Sequence, residues 1–134
     1  MADYSAVPLI KKLGIKPGMK ISIIGAEEDF WKNVGELPEV DLLEKPTKGM
    51  DFILYFTGSK KEYEKNFSKL RNKLVSSGML WIGWPKKASK FPTDLDDCVI
   101  RDFGLANGLV DVKVCAISEK WSGLKFVIRL KDRG

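Results

Sequence analysis

The sequence predicts an α/β fold, a three-layer Rossmann-like sandwich whose mostly parallel sheet is closed by an antiparallel C-terminal hairpin. Two observations lead to this prediction. Segments with the period of a strand alternate with segments with the period of a helix, and strands joined through helices run parallel. The last segment instead holds two alternating strands around a short loop, which is typical of a hairpin. We expect residues 1–134 to form one domain of ordinary size.

Short elements make up the N-terminal part of the chain. Pro and Gly residues separate them, and acidic residues at the start of the second helix favour a helix N-terminus. The predicted elements are a helix over Ser5–Leu13 that stops at Gly14, a strand over Met19–Ile24, a helix that begins near Glu27, and a short strand over Val40–Leu43.

The middle of the chain predicts two buried strands around a long helix. Asp51–Thr57 is almost continuously apolar, and burial of both faces is typical of a central parallel strand. The helix begins at Ser59, is expected to reach about Ser76, and ends at Gly78. A second buried strand follows over Met79–Trp84. The inner face of the helix carries Tyr63, Phe67, Leu70 and Leu74.

Thr93 and Asp96 predict a capping box for a third helix. We expect Leu95, Val99 and Phe103 on its inner face. In the terminal hairpin the even positions are apolar, so one face is expected to be drier than the other. Those positions are Val110, Val112, Val114 and Ala116 in the first strand, and Leu124, Phe126, Ile128 and Leu130 in the second.

Composition excludes several classes of protein. The chain has no histidine, so no mechanism that needs a Ser-His pair, a Cys-His pair or a histidine-bound metal is available. We expect Cys98 and Cys115 to be reduced core residues. No signal peptide and no membrane-spanning segment is visible, and the sequence predicts a cytoplasmic protein with no membrane partner.

Ligands of open α/β sheets bind beside the carboxyl ends of the strands, where the strand order reverses. We therefore expect four loops to meet at one edge of the sheet. They are Gly25–Glu28, Thr57–Ser59, Trp84–Lys90 and Ser118–Gly123. The candidate ligand-binding residues in these loops are Gly25, Gly58, Ser59, Trp84, Lys86, Lys87, Ser89, Trp121 and Ser122. No metal site is predicted, and no catalytic residue is identified.

Each candidate also has a purely structural interpretation. Ser59 either caps its helix or leaves the helix N–H groups open to an anion. Lys86 and Lys87 either bind a phosphate or carboxylate, or form a solvated loop. Trp121, expected in the hairpin loop, either contacts a ligand or packs across the crevice against Trp84.

The turn after the first strand indicates whether a dinucleotide cofactor can bind. Dinucleotide binding in the usual mode needs a turn with three glycines, whereas only Gly25 is present. The acidic residues that open the following helix would repel a phosphate group. The sequence therefore argues against NAD or FAD, and we expect no cofactor.

Charge is distributed unevenly along the chain, whose formal net charge is +5. Between Lys60 and Lys90 there are nine basic and two acidic side chains. A basic surface of this kind is one sign of a nucleic-acid binder. However, these lysines follow the polar face of one predicted amphipathic helix, which is typical of a solvated surface. The sequence therefore disfavours nucleic acid as a partner.

Four segments carry a resemblance: Trp84–Ser89, Trp121–Lys125, Pro8–Gly18 and Gly108–Ala116. Through them nearly the whole chain resembles a small prokaryotic family known as a domain of unknown function, which implies a compact fold. More distantly, the order of elements resembles a trimmed class I methyltransferase. Those enzymes carry a glycine-rich turn after the first strand and an acid at the end of the second, and Gly25 and Glu44 are the residues that correspond.

Three hypotheses follow. The favoured one is a non-enzymatic binding or regulatory domain on a degenerate methyltransferase-like core, and the sequence leaves open whether its partner is a small anionic ligand or a protein. The alternative is a protein or enzyme that binds a small anionic or adenosyl ligand in the crevice. The second alternative is nucleic-acid binding through the basic helix over residues 60–76. The sequence is compatible with both an enzyme and a non-catalytic domain.

Overall fold

The computed structural model describes residues 8–129. The helices are α1 (Leu9–Leu13), α2 (Glu28–Val34), α3 (Lys60–Arg71) and α4 (Asp97–Ala106), with a 3-10 turn at Lys87–Ser89. The strands are β1 (Lys20–Ile24), β2 (Asp41–Leu43), β3 (Met50–Phe56), β4 (Leu74–Pro85), β5 (Leu109–Ala116) and β6 (Trp121–Ile128). The first residues of the predicted helix over Ser5–Leu13 lie outside the described residues. None of the helices found between residues 8 and 129 combines the length and apolar character needed to cross a bilayer.

All six strands form one sheet in the order β2-β1-β3-β4-β6-β5. Neighbouring strands from β2 to β4 are parallel, whereas β6 runs antiparallel to both β4 and β5. The predicted mostly parallel α/β sheet with an antiparallel closing hairpin is therefore confirmed. The order reverses between β1 and β3, because the chain first passes from β1 to one side of it and then returns to the other.

The two faces of the sheet bury separate hydrophobic cores. The core on the side of α3 and α4 is built around Ile53, Tyr63, Phe67, Leu80, Ile82, Ile100, Leu124 and Phe126. The core on the side of α1 and α2 is built around Leu13, Ile21, Phe30, Phe52, Leu54, Phe56, Trp81 and Trp121. Since side chains alternate between the faces of a strand, β3 and β4 contribute to both cores.

The central position predicted for the Asp51–Thr57 segment is confirmed. The five residues Phe52–Phe56 are all buried, and β3 pairs with β1 on one side and with β4 on the other. A strand with helices over both faces has no wet side, so its sequence shows no polar alternation.

The predicted end of α3 was wrong. The helix ends at Arg71, several residues before Ser76, and β4 already begins at Leu74. Leu74 pairs with Met50, and the Met50 N–H donates to the Lys73 carbonyl at 2.8 Å. The spacing of apolar residues fits a helix that continues to Leu74, but the backbone there forms the hydrogen bonds of the sheet instead.

Gly78 lies inside β4, not at the end of a helix. A Cβ atom at this position would come within 2.9 Å of the Met50 carbonyl oxygen. The pairing of β3 with β4 shifts register between Met50 and Phe52. Glycine is therefore needed where the two backbones approach closely beside this irregularity.

The predicted capping box of the third helix was wrong in one member. Asp96 is the N-cap of α4, and its carboxylate accepts from the Val99 N–H at 2.8 Å. Thr93 instead donates to the Gly58 carbonyl at 2.7 Å. Leu95 is buried but lies before the start of the helix. Within α4 the buried residues are Ile100 and Gly104.

The terminal hairpin differs from its prediction in two ways. Trp121, Ser122 and Gly123 belong to β6 and not to the loop. Val112 and Val114, expected on the dry face, are 51% and 46% exposed. β5 is an edge strand, and its pairing shifts register between Asp111 and Lys113, so the strict alternation of the sequence is broken at Val112.

Both cysteines are free thiols, but they are not both core residues. Cys98 is exposed near the start of α4, and Cys115 is half-buried in β5. The apolar neighbours of Cys98 in sequence point inward from the helix, whereas its own side chain lies on the outer face.

Candidate functional site

The four loops expected at the carboxyl edge of the sheet do meet there. The Lys86 N–H donates to the Lys120 carbonyl at 2.8 Å, which joins the loop after β4 to the hairpin loop. The Thr57 N–H donates to the Gly83 carbonyl at 2.9 Å. The bond from Thr93 to the Gly58 carbonyl adds the segment before α4 to the same edge.

Glu27 bridges the first turn to the hairpin loop. One carboxylate oxygen accepts from the Trp121 indole N–H at 3.1 Å and from the Lys120 ammonium at 3.1 Å. These donors stabilise the ionised form, so the hydrogen bond from Trp121 and then that from Lys120 lower the pKa of Glu27. The acid that the sequence assigned to a helix terminus thus contacts residues on the opposite side of the crevice.

Trp121 packs against Phe56 and not against Trp84. The ring centroids of Trp121 and Phe56 lie 5.1 Å apart in an edge contact, and Phe56 makes a similar contact with Phe30. Trp84 belongs to the core on the other face of the sheet. The predicted contact between the two tryptophans was wrong. In the pairing of β4 with β6, Trp84 lies opposite Ser122, not opposite Trp121. Because Ser122 and Trp121 are successive residues of one strand, the Trp121 ring lies on the face of the sheet opposite to Trp84.

Gly25 forms the turn after β1 with a φ of +77°. A Cβ atom there would lie 2.9 Å from the Phe56 carbonyl oxygen. The turn therefore rests directly on the end of β3, and only glycine satisfies both the positive φ and the close approach.

The N-terminus of α3 is occupied by protein groups. The Ser59 hydroxyl accepts from the Glu62 N–H at 3.2 Å, and an Asp94 carboxylate oxygen accepts from the Lys60 N–H at 2.7 Å. Gly58 lies beside them, with the Pro85 ring near its α-carbon. An aspartate thus takes a position that an anionic ligand of this helix would use.

The loop after β4 closes on itself. The Ser89 hydroxyl donates to the Lys86 carbonyl at 2.6 Å, so this hydroxyl is turned inward. Lys86 is half-buried and Lys87 is exposed. The Lys120 ammonium lies 4.1 Å from the centre of the Phe91 ring, which is 44% exposed.

Lys120 contacts both Glu27 and Phe91 at this edge, although the three are not among the predicted ligand-binding residues. Glu27 and Lys120 are 93 positions apart, and no local pattern links them. Glu44, the acid noted from the resemblance, directly follows β2 and is exposed. Because β1 and β2 are parallel neighbours, Glu44 and Gly25 leave the sheet at the same edge.

Two surface cavities lie away from the predicted ligand residues. One, of about 360 Å³, lies between α1, α2 and the hairpin loop, and the other, of about 720 Å³, lies beside the turn after α1. Asp96, Asp97 and Cys98 have ligand atoms within 4.8 Å of one another. Asp96 caps α4 and Asp97 pairs with Arg101 at 3.5 Å, so both carboxylates already have protein partners.

No protein-family model and no curated protein sequence matches the chain. Solved structures do match over most of its length. A proposed type 11 methyltransferase from Sulfolobus solfataricus has a TM-score of 0.66 at 16% identity, covering 98% of this chain and 93% of the other. A SAM-dependent methyltransferase from Aquifex aeolicus has a TM-score of 0.61 at 17% identity, covering 90% and 88%.

The fold is that of the class I methyltransferases. Magnesium protoporphyrin IX methyltransferase from Synechocystis, solved with bound SAH, also matches, with a TM-score of 0.59 at 13% identity over 93% of this chain and 81% of that one. At sequence identities this low, the likeness to these structures shows the fold and does not extend to function. In this methyltransferase-like fold, Gly25 and Glu44 stand at the ends of β1 and β2, and Glu27 ties the first turn to Trp121.

Proposed function

We propose that the protein is a non-enzymatic binding domain on a methyltransferase-like core, and that it acts through a protein partner at the carboxyl edge of the sheet. The observation that carries this proposal is the contact of Glu27 with Trp121 and Lys120. It fastens the turn after β1 to the hairpin loop across the crevice.

The packing beneath that contact supports the proposal. Trp121 is 6% exposed, and its ring covers Phe56 at the end of β3. A ligand that entered the crevice over the Gly25 turn would have to separate Glu27 from both of its donors. It would also expose apolar surface that is now buried, which costs about 25 cal/mol for each Å².

The titratable groups of the edge also support a non-catalytic role. The lowered pKa of Glu27 disfavours general-base catalysis near neutral pH, since a carboxylate of low pKa holds protons weakly. Burial raises the pKa of Tyr63, but its hydroxyl donates to the Ile100 carbonyl at 2.8 Å inside the core. Both groups have structural partners.

The rim of the crevice offers a surface that suits a protein. Phe91 is 44% exposed, the Lys120 ammonium lies 4.1 Å from the centre of its ring, and Lys86 and Lys87 lie in the same loop region. Aromatic side chains are enriched at protein interfaces, and the rim around them is polar. An acidic partner surface with an apolar centre would match this chemistry.

A thermal-shift assay with S-adenosylmethionine, its demethylated product, nucleotides and small carboxylates tests the proposal. We expect no stabilisation by the adenosyl compounds. A ligand at 100 times its Kd would add about 2.7 kcal/mol, which shifts the Tm of a domain this size by several degrees. A shift of that size with S-adenosylmethionine would contradict the proposal.

A second candidate, binding of an adenosyl ligand, is favoured by one observation. Glu44 and Gly25 leave neighbouring parallel strands at the same edge. If S-adenosylmethionine stabilises the protein, Glu44→Ala should abolish the shift because a carboxylate at the end of the second strand is lost. Glu39→Ala, which removes an exposed acid ahead of β2, is the matched control.

A further inference from the structure

Two lysines face each other on the edge half of the sheet. Lys113 of β5 and Lys125 of β6 are direct cross-strand partners, and Lys125 is in turn paired with Trp81 of β4. The α-carbons of such partners lie only about 4.5–5.5 Å apart, and their side chains share one face. The Lys113 ammonium lies 6.0 Å from the centre of the Trp81 ring, which places it on the face of α1 and α2.

The turn after α1 brings a third lysine to this face. The buried Trp81 indole N–H donates to the Leu13 carbonyl at 2.9 Å, so the end of α1 is held over β4. A Cβ atom at Gly14 would be in contact with the Met79 side chain at 3.4 Å. Lys16 lies two residues beyond Gly14, near enough to Lys125 for the two charges to act on each other.

The three ammonium groups have no acidic partner among residues 8–129. Like charges directly opposite each other on a sheet are destabilising. The pKa of Lys125 is lowered, first by partial burial and then by the charges of Lys113 and Lys16. The arrangement therefore concentrates positive charge at one place without neutralising it.

We propose that Lys16, Lys113 and Lys125 form a binding site for a compact phosphate polyanion, such as the pyrophosphate group of a small phosphorylated ligand. Three chain segments supply the three ammonium groups. Each ammonium can donate to a phosphate oxygen, and partial burial of Lys125 strengthens that attraction. We name Lys16, Lys113 and Lys125 the lysine cluster.

The geometry favours a compact anion over a nucleic-acid strand. The basic side chains of α3, such as Lys61, Lys65 and Lys69, follow a helix, whereas those of the lysine cluster converge from separate elements onto one area. The cluster is also separate from the crevice. Lys125 is four residues beyond Trp121 along β6, a distance of roughly 13 Å. The proposal therefore stands or falls independently of the function proposed above.

Calorimetric titration with inorganic pyrophosphate at constant ionic strength tests the proposal. We expect saturable binding of one equivalent to the wild type. The double variant Lys113→Gln, Lys125→Gln should bind about ten- to a hundredfold more weakly, since two charge-assisted hydrogen bonds are lost. Lys65→Gln, Lys69→Gln removes the same charge from α3 on the other face and should bind like the wild type.

Three outcomes of the titration would overturn the proposal: no binding to the wild type, equal weakening in both double variants, or binding by Lys113→Gln, Lys125→Gln that matches the wild type. Thermal unfolding checks that the Lys113→Gln, Lys125→Gln variant folds. Its melting temperature should be no lower than that of the wild type because a like-charge pair is removed. Tight binding of a short DNA duplex that depends on Lys65 and Lys69 as well would show an extended interface and would also overturn the compact site. Pyrophosphate-dependent amide shifts at Lys16, Lys113 and Lys125 would support it.

Discussion

The indole N–H of Trp121 donates to the carboxylate of Glu27 at 3.1 Å, across 94 positions of sequence. This bond connects the turn after the first strand with the start of the last strand. The same carboxylate accepts from Lys120, so a charged group that is partly exposed has two donors. The carboxyl edge of the sheet is thereby fastened across the place where the strand order reverses.

A double-mutant cycle between Glu27 and Trp121 should show a coupling free energy of about 1 kcal/mol in urea unfolding at neutral pH, at the low end for a charge-assisted bond because Glu27 is partly exposed. The cycle uses Glu27→Ala and Trp121→Phe, which keeps an aromatic ring against Phe56. Glu28→Ala, an exposed neighbour with no bond to Trp121, is the control and should show no coupling.

The coupling between Glu27 and Trp121 should also depend on pH. The folded-state pKa of Glu27 lies below its ordinary value of 4.5. A depressed carboxyl pKa contributes stability that is fully present above the ordinary value and is lost as the pH falls through the folded value. Urea unfolding of the four proteins of the cycle over acidic pH checks this, and a coupling that grows on acidification would contradict it.

Gly25→Ala should destabilise the protein more than Gly18→Ala does. Both glycines have a positive φ, which costs a residue with a Cβ atom about 1–2 kcal/mol. At Gly18 a new Cβ atom meets nothing within 4 Å, whereas at Gly25 it would lie 2.9 Å from the Phe56 carbonyl oxygen. Urea unfolding should therefore show a further loss of about 1 kcal/mol or more at Gly25. Equal losses would mean that the first turn can move away from β3.

Gly104→Ala should destabilise the protein although alanine is the better helix former. The preference for alanine is worth about 1 kcal/mol in a helix. A Cβ atom at Gly104 would overlap the buried Phe126 ring, and overpacking of a core costs about 1–3 kcal/mol. In the Phe126→Leu background the cost should fall, as measured by thermal unfolding. A Gly104→Ala variant that is more stable than the wild type would refute this account of the packing.

The two thiols should react at different rates with an alkylating reagent near neutral pH. Cys98 is exposed, whereas Cys115 is half-buried and burial raises its pKa, which reduces the reactive thiolate. Mass spectrometry of Cys98→Ser and Cys115→Ser assigns the rates, and the Cys115→Ser variant should retain the fast phase. Fast labelling of Cys98→Ser would show that Cys115 is accessible.

Sequence patterns were sufficient where neighbours along the chain determine the structure. The apolar run over Phe52–Phe56 predicted a central strand because no polar residue interrupts it. Ser59 was predicted to start α3, and its hydroxyl does accept from the Glu62 N–H. The meeting of four loops at one edge also followed, since the carboxyl ends of parallel strands point the same way.

Sequence patterns gave wrong predictions where pairing with a residue distant in sequence determines the local structure. The spacing of Leu74 fits the inner face of α3, but pairing with Met50 places it in β4. Trp121 was expected to meet Trp84, yet the pairing of β6 with β4 puts the two rings on opposite faces. The exposure of Val112 and Val114 depends on a register shift at the edge of the sheet, which alternation in the sequence does not report.

By itself the sequence determined the class of the fold, the order of its elements and the edge at which four loops meet, because these follow from local periodicity and from the direction of the strands. Only the tertiary structure decided which side chains share that edge. Lys113 and Lys125 meet because strand register sets which distant residues become neighbours, and Glu27 meets Trp121 because the turn after β1 and the start of β6 lie at the same edge of the sheet. Register depends on the pairing energy of whole strands, and no short segment carries that information.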